Sequence, residues 1–521
     1  MNENFNIYTA IAYTSGKPHI GNTYEVVLAD AIARYKRLLG YDVYFQTGTD
    51  EHGQKIADRA MSLNKSPQEH VDYISDEIKR IYHSLDISYD RFVRTTDENH
   101  QKLVQLIFKK LYQQGDIYLG KYSGWYSVSE EAFIFDKELI ESGVGERGDK
   151  LVWMEEETYF FKLSKYQERL LAHLKKHPEF IQPESRKNEM LNNFLNEPLN
   201  DLSVTRTTLK WGIPTFDKTH VIYVWIDALA NYITSLGLDE NLTSAEFLKY
   251  WPADLHLIGK DILRFHTIYW PILLMALEMP LPKTIFGHPW ILIDKLKMSK
   301  SIGNTIYVDD LLKHFDKDAI RYYVLHEIPY NSDGNLTYEL LIERNNSDLA
   351  NTLGNLVNRT LGMINKYNGG LVRKAFTKND YQIDLKIIAT SLLEKVRKKM
   401  NTYHVGDALE EIMKVTRAAN KFIDLSEPWN LMKANNKDEL DGVLYQLIET
   451  IRIIATLLKA FMPTTAEKIF QQLNIEPSNF EETLTFGLYP DSHRPNKPFV
   501  LFERFDKEKK MKEILEAKID I

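Results

Sequence analysis

The stretch Ala12-Tyr13-Thr14-Ser15-Gly16-Lys17-Pro18-His19-Ile20-Gly21-Asn22 stands between a strand-like run and a helical pattern. A turn in that place aims backbone N–H groups and the positive end of a helix dipole at an anion. Gly21 permits close approach of a nucleotide, and His19 is a hydrogen-bond donor for a phosphate oxygen. Much later, Lys295-Leu296-Lys297-Met298-Ser299-Lys300-Ser301 is followed by Ile302-Gly303-Asn304. Lysines flanking Met and Ser on a loop neutralise the charge that develops when an α-phosphate is attacked and pyrophosphate leaves. A short His-x-Gly stretch recurs often by chance, and one Lys-rich stretch is ordinarily a basic surface turn. Together they point to nucleotidyl transfer from ATP.

The elements around them are those of an α/β fold. Phe5, Ile7, Thr9 and Ile11 alternate as in a strand, and a helix is predicted from near Asn22 with Val27, Ala31, Tyr35 and Leu38 on one face and a stop at Gly40. Val43, Tyr44 and Phe45 make the next strand. Such a βαβ unit favours a parallel sheet with ligands at the carboxyl ends of its strands. Residues 116–220, rich in aromatics, Glu and turn residues, read as an inserted subdomain. Strand-like runs return at Val221–Trp225, Leu255–Gly259 and Thr284–Phe286. From about residue 346 long amphipathic patterns dominate, and a helix-prone segment occupies 505–521. The expected units are therefore 1–115 and 221–294 for the two halves of the sheet domain, 116–220 for the insert, 295–345 for the lysine loop and linker, and 346–521 for a helical domain.

Composition narrows the class. The chain has 521 residues, 44% hydrophobic, and no cysteine, which excludes disulfides, thiolate metal sites and cysteine nucleophiles. No apolar run is long enough to span a membrane and no targeting pattern opens the chain, so a cytoplasmic protein is expected. The net charge is −8, yet residues 346–521 carry 26 Lys+Arg against 24 Asp+Glu. Charge alone neither demands nor excludes RNA, because local patches set the field that RNA meets.

Lys297 to Ser301 spell the KMSKS signature of class I aminoacyl-tRNA synthetases, and His19-Ile20-Gly21-Asn22 resembles the HIGH signature, with Asn22 in place of the final histidine. Ala10–Tyr13, Gly48–Gly53, Tyr223–Ala228 and Gly259–His266 make the similarity to the methionyl branch extend over nearly the whole chain. The resemblance implies a Rossmann-like parallel-sheet catalytic domain with an inserted subdomain, followed by an all-α anticodon-binding domain. It implies ATP bound by His19, Gly21, Asn22, Gly259, Lys260, Asp261 and Lys300, with His19, Lys297 and Lys300 stabilising the transition state. It puts Ile11, Tyr13, Trp225, Leu229, Tyr232 and His266 around the methionine side chain and Asp50 on its ammonium. Leu229 stands where many relatives have proline. Aromatic walls suit a polarizable thioether, at about 0.3–1.5 kcal/mol per sulfur–aromatic contact, whereas Asp50 would serve any amino acid.

The family's zinc knuckle, built from paired Cys-x-x-Cys, has Ser127 and Glu130 at the spacing of its first pair here. No structural zinc is expected. The insert is predicted to be held by Trp125, Tyr126, Phe133 and Phe135. Its length is too short for the editing domain that valine, isoleucine and leucine enzymes need to separate side chains differing by about 1–3 kcal/mol. Mg²⁺ is expected only as the counter-ion of ATP. Asn355, Arg359 and Trp429 match anticodon-meeting positions of the family; a Trp stacks an unpaired base while Asn and Arg read its edges. The partners implied are L-methionine and both the anticodon loop and acceptor end of its transfer RNA, with the enzyme a monomer. A small-molecule nucleotidyltransferase, a silent RNA-binding paralogue and a different amino-acid specificity remain the competing readings.

Overall fold

The computed structural model describes residues 3–128, 132–134, 137–145, 148–207, 209–293, 296–297 and 305–519. The strand Asn4–Thr9 sits inside a seven-stranded sheet. Asp42–Asp50 pairs with it on one side and Leu255–Gly259 on the other, both parallel, so that Ile7 faces Phe45 and Leu255. Ala12–Tyr13 and Arg91–Arg94 extend the first side, and Ile285–His288 and Ile181–Gln182 the second, all parallel. Ile181–Gln182 comes from within the span read as an insert. Every residue from Phe5 to Thr9 is buried, because helices cover both faces of such a sheet. The strand order reverses about Asn4–Thr9, which opens a crevice at the carboxyl ends near Thr9, Asp50 and Gly259.

The helix predicted from near Asn22 runs from Ile20 to Leu38, and Gly40 follows at φ +88°, a conformation glycine adopts without strain. The run Val221–Trp225 departs from its strand reading. Only Val221–Ile222 is a strand, antiparallel to Thr205–Arg206, and the chain turns at Tyr223 into the helix Val224–Thr234. That helix is buried continuously from Ile226 to Thr234. A helix buried on all sides lacks a solvent-facing polar stripe and so carries a weak 3.6-residue signature, and a short apolar window of it looks like a strand.

In the insert, Ile117–Ser127 and Val152–Phe161 pair antiparallel from Ile117↔Phe161 to Tyr126↔Val152. The helical region contains Asn355–Asn368, Leu392–Met400, Val405–Ser426, Lys437–Leu458 and Pro463–Leu473. Its core is continuous with one face of the parallel sheet: Ile7, Val27, Leu356 and Leu409 belong to a single buried cluster, and Tyr8, Phe108, Tyr232 and Ile258 to a second. The C-terminal helix Lys507–Ile519 packs back on Tyr338–Arg344, held where Asn346 exchanges two 2.8 Å hydrogen bonds with the backbone of Phe505.

Gly48 shows how tightly the site strand is built. A Cβ there would lie 2.2 Å from the Val93 carbonyl oxygen on the neighbouring strand. Gly48→Ala is expected to lower unfolding free energy by about 1–3 kcal/mol through forced separation of two strands. Urea unfolding of the variant checks this, and an unchanged midpoint would contradict it.

Candidate active site

His19 is the N-cap of the helix Ile20–Leu38. Its Nδ1 accepts the N–H of Gly21 at 3.1 Å, and the Asn22 Oδ1 accepts the N–H of His19 at 3.3 Å. This capping box fixes the imidazole against the helix start and leaves Nε2 as the donor atom of the neutral ring. Asn22, the residue that departs from the HIGH signature, therefore has a local role: it closes the cap. The N–H of Ile20, next in the chain, donates to the Ile306 carbonyl at 2.9 Å. Upstream, Leu296–Lys297 pairs with Ile291–Ile293 through Leu292↔Lys297 and Ile293↔Leu296. The Lys297 backbone is thus a short strand; its side chain, and Lys295, Met298 to Asn304 with Lys300 among them, lie outside the described residues. The chain is accordingly tied on both sides of the second signature, before it within a separate three-stranded sheet and after it beside His19. Lys17 is engaged by Asp309, which also receives two hydrogen bonds from Arg80.

Asp50 ends its strand, level with Tyr13 in register, and its carbonyl accepts both the N–H and the hydroxyl of Thr14 at 3.0 Å. Trp225, Leu229 and Tyr232 recur at i, i+4 and i+7 on the helix Val224–Thr234 and so share one face. Trp225 stacks on Phe265 with ring centroids 3.7 Å apart and planes 7° from parallel. Leu229 continues the helix and is buried. Tyr13 is exposed and Ile11 partly exposed, just beyond the first strand. His266 occupies a π-helical turn, Phe265–Tyr269. Its Nδ1 lies 3.0 Å from the Ile262 carbonyl and its Nε2 2.7 Å from the Tyr232 hydroxyl. Nδ1 therefore carries the proton, and Tyr232 donates to Nε2.

Burial holds His266 neutral, pushing its pKa down to about 4 against the hydrogen bond to Ile262. Between that value and the ordinary 6.5 the unfolded chain takes up a proton that the folded chain refuses. The stability this histidine contributes is full above pH 6.5 and is lost as pH falls toward 4. A loss of about 2 kcal/mol is expected from His266 between pH 7 and pH 5. Urea unfolding of the protein and of His266→Gln across that range measures it; equal pH slopes in the two would refute the assignment.

At the end of Leu255–Gly259, a Cβ on Gly259 would meet the Asp261 Oδ1 at 2.6 Å, so the bare backbone makes room for that carboxylate. Asp261 also accepts from Trp290 Nε1 at 3.3 Å. Lys260 pairs with Asp333, 2.7 Å away, with its ammonium 4.1 Å from the centroid of the Trp290 ring.

In the insert, Ser127 donates toward the Asp149 carboxylate, 2.8 and 3.0 Å from its two oxygens, and Trp125 meets Trp153 edge to face. Tyr126 stands opposite Phe133 in register. Glu130 and Phe135 lie outside the described residues. Among the described residues no group of three or more His, Asp or Glu could hold a metal, and no helix is long and apolar enough to cross a membrane. In the helical region Arg359 pairs with Asp424 at 2.9 Å, and Asn355 approaches Asn420 at 3.5 Å. Trp429 is half-buried just past Glu427, whose left-handed conformation ends the helix Val405–Ser426. A π-helical segment, Asn345–Gly354, leads into Asn355, and Asn420 donates to its Thr352 carbonyl at 2.9 Å.

Several buried groups around the crevice were not singled out from the sequence. The Asp227 carboxylate lies 2.6 Å from His52 Nδ1 and 2.7 Å from His100 Nε2. His52 and Asp227 sit inside stretches that carried the resemblance; His100 had no signal, being 127 positions from its partner. Glu25, its pKa raised by burial despite His288 3.1 Å away, lies on the helix that begins after His19.

Comparison with known proteins follows the same lines. A model of the family described as tRNA synthetases class I (M) matches residues 5–151 and 136–361, and one described as the anticodon-binding domain of tRNA ligase matches residues 388–521. The chain is 50% identical over 513 residues to a methionine–tRNA ligase of Clostridium tetani, an alignment covering 98% of this chain and 80% of that protein. It is 48% identical over 519 residues to the one of Enterococcus faecalis, covering 97% and 77%. Among solved structures, Mycobacterium tuberculosis methionyl-tRNA synthetase in complex with methionyl-adenylate superimposes with a TM-score of 0.90 at 40% identity, covering 96% of this chain and 100% of that one. The apo form of that enzyme gives 0.84 at 37% identity, covering 97% and 99%.

Proposed function

The chain belongs to the methionine–tRNA ligases, class I tRNA synthetases that activate methionine with ATP and load it onto transfer RNA, and from that premise we propose how its own residues share the reaction. Asp50 holds the substrate ammonium by a charge-assisted hydrogen bond. Ile11, Tyr13, Trp225, Leu229, Tyr232 and His266 enclose the side chain, with a neutral His266 that neither attracts nor repels charge at its far end. The methionine carboxylate attacks the α-phosphorus of ATP in line, and the bond to the pyrophosphate oxygen breaks. His19 donates to the phosphate through Nε2 while Gly21 and Asn22 shape the helix start. Gly259, Lys260 and Asp261 face the adenosine. Lys297 and Lys300 stabilise charge on the transferring phosphorus and the leaving pyrophosphate. Mg²⁺ enters with ATP as its counter-ion, as part of the substrate.

A ribose hydroxyl at the 3′ end of transfer RNA then attacks the methionyl carbonyl, and AMP leaves with the electron pair of the anhydride bond. Asn355, Arg359 and Trp429 meet the anticodon loop, for which Arg359 exchanges Asp424 for a base or phosphate. The units are assigned at the boundaries given for the sequence, except that Ile181–Gln182, within 116–220, belongs with the parallel sheet of the catalytic domain, and the insert works without zinc. The protein acts as a cytoplasmic monomer, which light scattering of the purified chain tests.

One observation supports this reading most: the 2.9 Å bond from Ile20 to Ile306, which ties the chain just past the lysine signature to the residue after His19 at the carboxyl edge of a parallel sheet. The decisive experiment is exchange of pyrophosphate into ATP with each of the twenty amino acids. Exchange with methionine alone is expected. Exchange with a different amino acid would overturn the pocket assignment, and exchange with none would favour a silent paralogue.

A further inference from the structure

The helix Val224–Thr234 has two faces with different tasks. Trp225, Leu229 and Tyr232 line one, and Asp227 and Thr234, seven residues apart, lie on the opposite one. Both are almost fully buried, at 1% and 2% exposure. His100, from the helix Glu98–Gln113, spans them, with Nδ1 2.7 Å from the Thr234 hydroxyl and Nε2 2.7 Å from Asp227 Oδ1. The second carboxylate oxygen of Asp227 is 2.6 Å from Nδ1 of His52, two residues beyond Asp50. Gln46, on the strand that ends at Asp50, donates to Asn231 Oδ1 at 3.0 Å and accepts from the Ser235 hydroxyl at 2.7 Å. The aromatic helix is therefore fastened from behind to the strand and turn that carry the ammonium anchor.

We infer that Asp227, through His52 and His100, is a positioning residue that sets the spacing between the ammonium anchor and the thioether wall, and so sets the length of side chain the enzyme accepts. Asp227 touches neither substrate; it acts through the turn holding Asp50 and the helix holding Trp225 and Tyr232. A hydrogen-bonded buried carboxylate suits this task because both of its oxygens are committed in fixed directions. Two packed apolar side chains would tolerate a slide. Shifting the helix against the strand changes the fit at the two ends of methionine together but leaves the nucleotide end, built from the His19 helix and Gly259, where it is. The effect therefore separates the substrates: methionine affinity and side-chain discrimination change, and ATP affinity does not.

This inference rests on the pocket reading proposed above, and the test keeps the two apart. Methionine-dependent pyrophosphate exchange is measured for the unmodified protein, Asp227→Asn, His100→Gln and Tyr232→Phe, with ethionine, whose side chain is one methylene longer, as the competing analogue. Asp227→Asn is expected to raise KM for methionine about tenfold, the cost of misdirecting one buried hydrogen bond, with KM for ATP changed less than about twofold. The preference for methionine over ethionine should fall about fivefold or more in kcat/KM. His100→Gln, which removes one arm and keeps the carboxylate, should move the same parameters in the same direction by less, and it decides the matter if Asp227→Asn does not fold. Equal rises in KM for both substrates, or a loss of melting temperature with unchanged KM and preference, would overturn the positioning role. If Tyr232→Phe alters neither methionine KM nor the preference, the pocket reading itself fails; if it alters them and Asp227→Asn does not, only the present inference fails.

Discussion

Replacing Lys300 with alanine is expected to reduce kcat/KM for adenylate formation by about 30- to 1000-fold, or about 2–4 kcal/mol of transition-state stabilisation. Methionine binding should change little. The argument turns on where charge moves. In the mechanism proposed above, the ground-state ATP phosphates are already neutralised by Mg²⁺ and by the helix start capped by His19. As the carboxylate attacks, negative charge grows on the α-phosphoryl oxygens and on departing pyrophosphate, and a lysine held nearby gains more in the transition state than before it. The described residues on both sides of the signature are anchored. Leu296–Lys297 is hydrogen-bonded to Ile291–Ile293, and Ile306 accepts from Ile20. Anchoring of the described residues on either side lowers the orientational entropy that bringing Lys300 to the phosphates would cost. Lys17 is no substitute, since Asp309 already engages it. Single-turnover adenylate formation, with methionine binding by calorimetry, checks the prediction; turnover within a factor of about three of the unmodified protein would remove Lys300 from the mechanism.

How much of this was legible in the sequence depends on whether the signal was local. The strand Leu255–Gly259 and the helix near Asn22 were legible, because a covered strand and a one-sided helix have distinct periods. The helix Val224–Thr234 was not, because burial on every side weakened its period and left an apolar run that resembled a strand. The site divides the same way. His19 announces itself by its place at a strand-to-helix turn. Trp225, Leu229 and Tyr232 fall on one face only once the helix is known. The pairing of Asp227 with His100 and of Lys260 with Asp333 joins residues 127 and 73 positions apart. No window of sequence contains such pairs, because sheet topology decides them.

Arg321→Ala is expected to destabilise the protein by about 3–5 kcal/mol, the usual cost of stripping one partner from a buried ion pair. The Arg321 guanidinium is wholly buried, 2.8 Å from Asp30 Oδ2, and it also donates to the carbonyls of Phe461 at 2.9 Å and Leu85 at 3.0 Å. Each contact comes from a different part of the chain: Asp30 from the helix that starts after His19, Leu85 from the end of the helix Pro67–Ser84, and Phe461 from the turn between two helices of the C-terminal region. Arg321 thus joins the helical region to the layer that carries the helix Ile20–Leu38. Burial opposes charge on Asp30, yet Arg321 and Arg34 hold its pKa below the ordinary carboxylate range. Alanine would leave that anion in the core with Arg34 and Ser88 as its partners, and would orphan two carbonyls. A double variant separates the pair from its surroundings. Asp30→Leu combined with Arg321→Met removes both charges while keeping volume, so it should be less destabilised than the sum of the single variants by at least about 2 kcal/mol. Urea unfolding of the four proteins closes the cycle. Additive losses would mean that Arg321 acts through its carbonyl contacts alone and that the ion pair does not hold the two regions together.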